Sequence, residues 1–353
     1  MKRVSSISCL FLAATALAAL PACESGFDRN DQIVNNLRIL GIRAHVVEST
    51  DSIDWADAQV GDTLELSALV GNPGNVGVTI YWLACVPTGT SALTPCNDEG
   101  VLQNPRSLIN LAMDPANGVI NLGMTNPVQF TVPTEVQPLL DAVLTRADQN
   151  PQAQCSLFVN FPLIVIAEGD DGEVITATQN VRLSPWSQVG PNATDPNYRY
   201  YIRNSNPAVI GFFDSPPTRT TCTGQQLTVL CQSDSDCNGA TCQNGFCSPE
   251  GFPAGGQTIC LTLDTPQDYY DCGLDGPELS DPDVGPNVEE EPSITWYATA
   301  GSIQGITRPN AGTGSDLASR TYTDFTRAPG PFTIYGVVRD GRGGESWLAQ
   351  DFQ

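Results

Sequence analysis

The chain has 353 residues, enough for two domains of ordinary size, and its 39 acidic residues against 16 basic ones give a formal charge of −23. A surface so negative repels phosphate backbones and sets nucleic-acid binding aside. One histidine, His45, in the whole chain excludes His-rich zinc sites and any choice among catalytic imidazoles, and its apolar, alternating neighbours put it on a strand face.

At the amino end, Lys2 and Arg3 precede an apolar run from Ile7 to Leu20, followed by Leu20-Pro21-Ala22-Cys23. This is the charged, apolar, small-residue order of a secretory signal, and the run is too short for a spanning helix of about 20 apolar residues. Leu20, Ala22 and Cys23 resemble the bacterial lipobox. That resemblance implies removal of residues 1–22, a lipid on Cys23, and attachment to a membrane through acyl chains alone. An ordinary signal peptide whose next cysteine joins a disulfide is the other reading. Glu24 stands where an Asp marks inner-membrane retention in well-studied Gram-negative bacteria, which favours a lipid-anchored place in the cell envelope at the outer membrane. Residues 23–36 read as a polar tether. Without Lys2 and Arg3 the exported chain keeps 14 basic residues against 39 acidic ones.

The chain's 59 Gly and Pro residues, nearly all beyond the tether, separate short Val-, Ile-, Thr- and aromatic-rich runs, the pattern of an all-β chain of sandwich type. The second half repeats the first weakly. Leu37–Val46 corresponds to Pro207–Ser215, Val60–Val70 to Gly255–Leu263, and Val78–Cys85 to Ser293–Ala300, the last pair placing Trp82 and Trp296 mid-strand. Phe158–Ser184 and Phe332–Phe352 each read as a closing hairpin, turned at residues 168–172 and 340–344 by Gly and Asp that tolerate positive φ. The order resembles bacterial immunoglobulin-like domains of surface proteins, one over 37–186 and one over 206–353, joined by a linker over 187–205 into a rod. One helix is predicted in the first: Thr134 offers a cap with Gln137 behind it, and Val136, Leu139, Leu140, Val143 and Leu144 share a face across an open end of the sandwich. Leu157–Ile166 is apolar but contains Pro162, and reads as a buried strand with a bulge or bend.

Twelve cysteines occur, and setting aside Cys9 of the signal and Cys23 leaves ten: Cys85, Cys96, Cys155, Cys222, Cys231, Cys237, Cys242, Cys247, Cys260 and Cys272. An even number in an exported chain reads as a disulfide framework. The first unit holds three and the second seven, so full oxidation requires a bridge between the halves; a free thiol in each half is the alternative. Residues 222–250 form an insertion that resembles small EGF-like and dickkopf-like cysteine modules of surface proteins in myxobacteria and their relatives. It is too polar to hold itself without bridges. Pairing Cys231 with Cys242 and Cys237 with Cys247 is one of three connectivities, and the spacing lacks the short knuckles of a zinc site.

A second, acidic insertion spans 264–292. There Asp281, Asp283 and Glu289 could offer oxygens to a structural calcium, although no regular calcium-loop spacing is present. Nothing in the chain matches a nucleophile-elbow, metalloprotease or phosphate-loop motif, and Asn192-Ala193-Thr194 is a sequon by pattern only. The expectation is therefore no enzyme and no cofactor beyond that calcium: a membrane-anchored scaffold or protein-binding module with an unidentified envelope protein or glycan partner, with a carbohydrate-binding or adhesion protein as the alternative and an envelope hydrolase as a more distant one. For a glycan, Tyr198, Tyr200, Tyr201, Tyr269 and Tyr270 are the candidate stacking residues.

Overall fold

The computed structural model describes residues 32–47, 53–85, 105–112, 118–195, 198–215, 241–243, 246–248, 256–263, 267–269, 288–290, 292–303, 306–307, 320–326 and 330–352. In the first unit the chain runs β1 (Arg38–Val46), β2 (Thr63–Gly71), β3 (Val78–Cys85), α1 (Pro105–Leu111), β4 (Val119–Gly123), β5 (Val128–Thr131), α2 (Gln137–Gln149), β6 (Val159–Gly169) and β7 (Val174–Leu183). The strands form two antiparallel sheets, ordered β1-β2-β5 and β4-β3-β6-β7.

The second unit repeats this plan. It comprises β8 (Val209–Ser215), β9 (Thr241–Gln243), β10 (Phe246–Ser248), β11 (Gly256–Leu263), β12 (Asp268–Tyr269), β13 (Val288–Glu289), β14 (Ser293–Ala298), β15 (Ser302–Ile303), β16 (Ile306–Thr307), β17 (Arg320–Thr326), β18 (Phe332–Arg339) and β19 (Glu345–Phe352). One sheet is ordered β8-β11-β17-β15 and the other β16-β14-β18-β19, while β9/β10 and β12/β13 are separate two-stranded ribbons. Setting β8, β11, β14, β16, β17, β18 and β19 over β1 to β7 reproduces both sheet orders. The weak sequence repeat is thus a repeat of topology, and each unit is a two-sheet sandwich resembling the immunoglobulin arrangement.

Trp82 and Trp296 occupy the same place, each fully buried in the third main strand of its unit. Trp82 lies among the inward residues of both sheets, including Leu64, Leu66, Phe161 and Val165. Trp296 packs against Phe212 with ring centroids 5.6 Å apart. The hairpin turns also match expectation: Gly172, Gly341 and Gly343 adopt φ of 86°, 80° and 114°, conformations open to glycine without strain.

Alternation along β6 breaks down because both faces of its sheet are covered. Phe161, Leu163 and Val165 face the sandwich interior, whereas Ile164 and Ile166 face outward onto Leu108 of α1. A strand buried on both sides reads as a continuous apolar run. No bulge occurs at Pro162. The ladder to β7 runs through Pro162 opposite Asn180 without a register shift, and the ladder to β3 begins one residue later at Leu163.

The helix α2 lies where expected, with Val136 and Leu140 in the sandwich core and Val143, Leu144 and Ala147 on a smaller cluster with Leu157, Val189 and Tyr201. The expected cap does not form. A 3-10 turn over Thr134–Val136 moves the N-cap two residues along to Val136, which makes no side-chain cap, and Gln137 turns to Asp141 at 2.9 Å instead. The short helix α1 is an addition to the single helix predicted.

The units join along a face rather than end to end. The outer face of the β14-β18-β19 sheet presents Tyr297, Tyr335, Val337, Trp347 and Ala349 to Val34, Leu40 and Leu69 of the first unit. Leu40 reaches that face because β1 bulges there: the register with β2 shifts between Ile39 and Gly41, so Ile39 stays inside while Leu40 turns outward. The second unit has a register shift at the matching place, between Thr262 and Leu263 opposite Gly211 and Val209. Residues 32–34, the end of the stretch read as tether, add a short parallel bridge to Ala298, with Val34 fully buried.

Candidate functional site

Of the predicted cysteines, Cys85, Cys155, Cys242, Cys247 and Cys260 fall among the described residues. Cys85 ends β3 and is fully buried, Cys155 ends a 3-10 turn over Pro151–Cys155, and both are disulfide-bonded. Cys242 and Cys247 stand opposite one another in the β9/β10 ribbon, whose two strands are linked by Asn244-Gly245, a favoured hairpin dipeptide. Cys260 lies mid-strand in β11, between Tyr322 and Phe213 of its neighbours. Cys23, Cys96, Cys222, Cys231, Cys237 and Cys272 lie outside the described residues, as do Asp281 and Asp283. Glu289 ends β13 opposite Asp268. Among the described residues no group of three or more His, Cys, Asp and Glu is placed to hold a metal ion.

Two of the tyrosines considered for sugar stacking are withdrawn from any ligand. Tyr200 and Tyr201 are each 2% exposed, and Tyr198 is tied by its hydroxyl to Asp148 on α2, which pushes its pKa up to about 12. Tyr269 is in β12, and Tyr270 lies outside the described residues. His45 sits on β1 opposite Glu65, on a strand face as expected.

What the fold brings together instead is a seam of polar groups between the two units. Its first half is the outer edge of β1, where an edge strand leaves backbone groups without a ladder partner. Side chains of the second unit supply them. The Ile42 N–H donates to Glu345 Oε1 at 3.1 Å, Arg339 donates to the Leu40 carbonyl at 2.9 Å, and Asn206 donates to the Ala44 carbonyl at 2.9 Å. Residues 40, 42 and 44 share one edge, so three successive sites are filled. Arg339 and Glu345 also pair with each other at 3.1 Å, across the first pair of the β18/β19 hairpin. Glu345 can approach this closely because residue 41 is glycine; a Cβ there would overlap its carboxylate.

The second half of the seam gathers around residues 200–206, the segment read from sequence as the end of a linker. Asp57, in the connection between β1 and β2, accepts the Tyr201 hydroxyl at 2.6 Å and the Asn204 N–H at 2.9 Å on the same oxygen. The Asn204 side chain continues to Asp340 at 2.8 Å, and the other Asp340 oxygen collects the N–H groups of Arg342, Gly343 and Gly344 at 2.7, 3.0 and 3.0 Å. Arg342 reaches Glu290 at 2.8 Å, while Arg203 bonds the Asp57 carbonyl at 3.0 Å and Asp62 at 3.2 Å. A hairpin turn that is a free loop in many sandwiches is here folded into the interface, with Asp340 5% and Arg342 8% exposed.

Burial sets the electrostatics of the seam. Loss of solvent raises Asp57 to about 6, against which its hydrogen bonds from Tyr201 and Asn204 and the more distant Arg182 and Arg342 act only in part. Burial likewise raises Glu290 and Glu345 to about 7 each, ahead of the opposing pull of Arg342 and Arg339. Asp340 moves upward for the same reason. Groups this enclosed and bonded to one another can hold two domains in a fixed relation and can hold protons. In the sequence, residues 198–206, YRYYIRNSN, are dense in aromatic and polar side chains and the turn at 340–344 carries Asp340 and Arg342, but neither pattern by itself marks an interior position.

No family model matches the chain, and no curated protein matches it. Solved structures give distant matches. The β-glucuronidase of Parabacteroides merdae is 8% identical with a TM-score of 0.17, over 88% of this chain and 25% of that one. SGBP-B of a mixed-linkage glucan utilization locus of Bacteroides ovatus, solved with a mixed-linkage heptasaccharide, is 11% identical with a TM-score of 0.15, over 88% and 70%. A protocadherin gammaB7 EC3-6 structure is 10% identical with a TM-score of 0.17, over 90% and 75%. The chain therefore spans about a quarter of the length of the first of these proteins.

Proposed function

We propose that this chain is a non-enzymatic lipoprotein of the cell envelope, acylated at Cys23 and favoured at the outer membrane, in which two fixed sandwiches form a scaffold or protein-binding module. The observation that carries the reading is the seam. The charged and polar groups brought together between the units are spent on holding them together, an arrangement suited to a rigid support. The lipobox-like Leu20-Pro21-Ala22-Cys23 supplies the anchor, and the cysteine-rich insertion over 222–250, which resembles modules of surface proteins in myxobacteria and their relatives, supplies an element for a protein partner to grip.

Metabolic labelling with a palmitate analogue, followed by membrane fractionation and cross-linking in intact cells, tests this. Wild-type protein is expected to carry label and sediment with outer membranes, Cys23→Ser to lose both, and a discrete cross-linked species to disappear when residues 222–250 are replaced by a short Gly-Ser linker. Unlabelled wild-type protein in the soluble fraction would overturn the anchor. Cross-linking indifferent to the insertion would overturn the binding role.

A further inference from the structure

We infer that the seam is a proton-linked clasp: closing the two sandwiches takes up protons on Asp57 and Glu345, so they hold each other more tightly in mild acid than in mild alkali. The inference concerns the folded body alone and is independent of the lipid anchor and of any partner.

The geometry shows an excess of buried carboxylates. Asp57, Glu290, Asp340 and Glu345 are all buried at the seam, whereas the arginines there are Arg203, Arg339 and Arg342. Arg339 faces Glu345, Arg342 faces Glu290, and Arg203 spends its charge on Asp62, which is also in the β1–β2 connection. Asp340 is held by backbone N–H groups and the Asn204 amide. Asp57 is left with the Tyr201 hydroxyl and the Asn204 N–H, donors that bring no positive charge.

The groups facing Asp57 come from several elements. Arg203 from the connecting segment touches its carbonyl rather than its carboxylate, Arg182 of β7 and Arg342 of the β18–β19 turn act from a distance, and Asp340 lies beyond Asn204. Around Glu345 stand Arg339 of β18, the Ile42 N–H of β1 and the opposing charge of Asp340. Asp57, whose carboxylate accepts from the uncharged Tyr201 and Asn204, is neutralised most simply by a proton, because a carboxylic acid can still accept the Tyr201 hydrogen bond through its carbonyl oxygen; at Glu345 full burial and the nearby charge of Asp340 work against the fork of Arg339 on both oxygens. Once the seam opens, water hydrates the ionised form and the penalty vanishes. Protons are therefore bound on closing and released on opening, and raising pH pulls the equilibrium toward the open form. The upward displacement of Asp57 to about 6 and of Glu345 to about 7 puts the change between mild acid and neutrality.

Hydrogen exchange on the mature full-length protein reads this directly. After correction for intrinsic exchange rates, peptides covering 38–46 and 339–345 are expected to lose protection by on the order of tenfold or more between about pH 5.5 and about pH 8, while peptides from β3 and β6 stay unchanged. Replacing both groups by their neutral counterparts, Asp57→Asn with Glu345→Gln, should remove most of that dependence and leave only the part that Glu290 contributes. Wild-type protection that does not vary with pH overturns the clasp, and so does a folded double variant that keeps the wild-type pH dependence. If the double variant does not fold, each single variant must remove part of that dependence, and a folded single variant retaining all of it has the same overturning force.

Discussion

Gly41 and Glu345 belong to different sandwiches, yet the Glu345 carboxylate fills the space in which any side chain on residue 41 would begin. Gly41→Ala must therefore displace the carboxylate that receives the Ile42 N–H and pairs with Arg339. A loss of about 1–3 kcal/mol in unfolding free energy is expected, the range for leaving buried polar groups unsatisfied. Urea unfolding checks it, and a change below about 0.5 kcal/mol would show that the contact is not needed.

Arg342 joins the β18–β19 turn to Glu290, and both side chains are buried. Arg342→Ala takes from buried Glu290 the cation it pairs with among the described residues. Removing one partner of a buried pair typically costs about 3–5 kcal/mol, and the companion substitution Glu290→Gln in the same chain should restore part of it. A double-mutant cycle by thermal unfolding gives the coupling, which should be well above zero.

The pH dependence of global stability follows from the same carboxylates, with a definite sign. Glu345 and Glu290 titrate near 7 when folded against an ordinary 4.5, and Asp57 near 6 against 3.8. Between these limits the folded protein binds protons that the unfolded chain has released, so stability falls as pH rises through the window and levels off above neutrality. A melting temperature several degrees higher at about pH 5 than at about pH 8 is expected. Equal melting temperatures would mean the buried carboxylates are ionised throughout.

Trp82 and Trp296 anchor the two cores from equivalent positions, so truncation to Ala should cost about 3–5 kcal/mol at each. Trp82→Phe should be much milder, because the indole Nε1 of Trp82 makes no hydrogen bond to lose. Circular dichroism with urea titration separates the two effects. A Phe variant as unstable as Ala would mean that shape, not apolar volume, governs the site.

How far the residues disclosed the fold depended on whether the signal was periodic. Strand runs, their hairpin turns and the Trp82–Trp296 equivalence are local patterns, and both sandwiches were legible from them. The apolar run in β6 was legible as buried, but not the reason, since residue type alone does not show that α1 covers its second face. The seam was illegible because its partners lie far apart in sequence: Ile42 and Glu345 are separated by 303 positions, and nothing local marks a charged hairpin turn as interior. Helix capping failed for a smaller reason. Thr134 has the right chemistry, but a 3-10 turn intervened and moved the helix start past it.

Reduction offers a separate check on the framework. Cys85 and Cys155 are both bonded, so native peptide mapping should find neither as a free thiol. Breaking such bridges typically costs about 2–4 kcal/mol each, so a reductant should lower the urea midpoint measurably. Cys85 alkylated in the unreduced protein would contradict the structure.

The filled edge of β1 has a bearing on solubility. Leu40, Ile42 and Ala44 turn a row of main-chain donors and acceptors toward side chains of the second sandwich, and those side chains cannot template another strand. Were the sandwiches parted, the same row would be open to any extended segment nearby, including the β1 of another molecule. Variants that weaken the seam should then betray themselves first as turbidity at high protein concentration, while each sandwich, taken alone, is still folded.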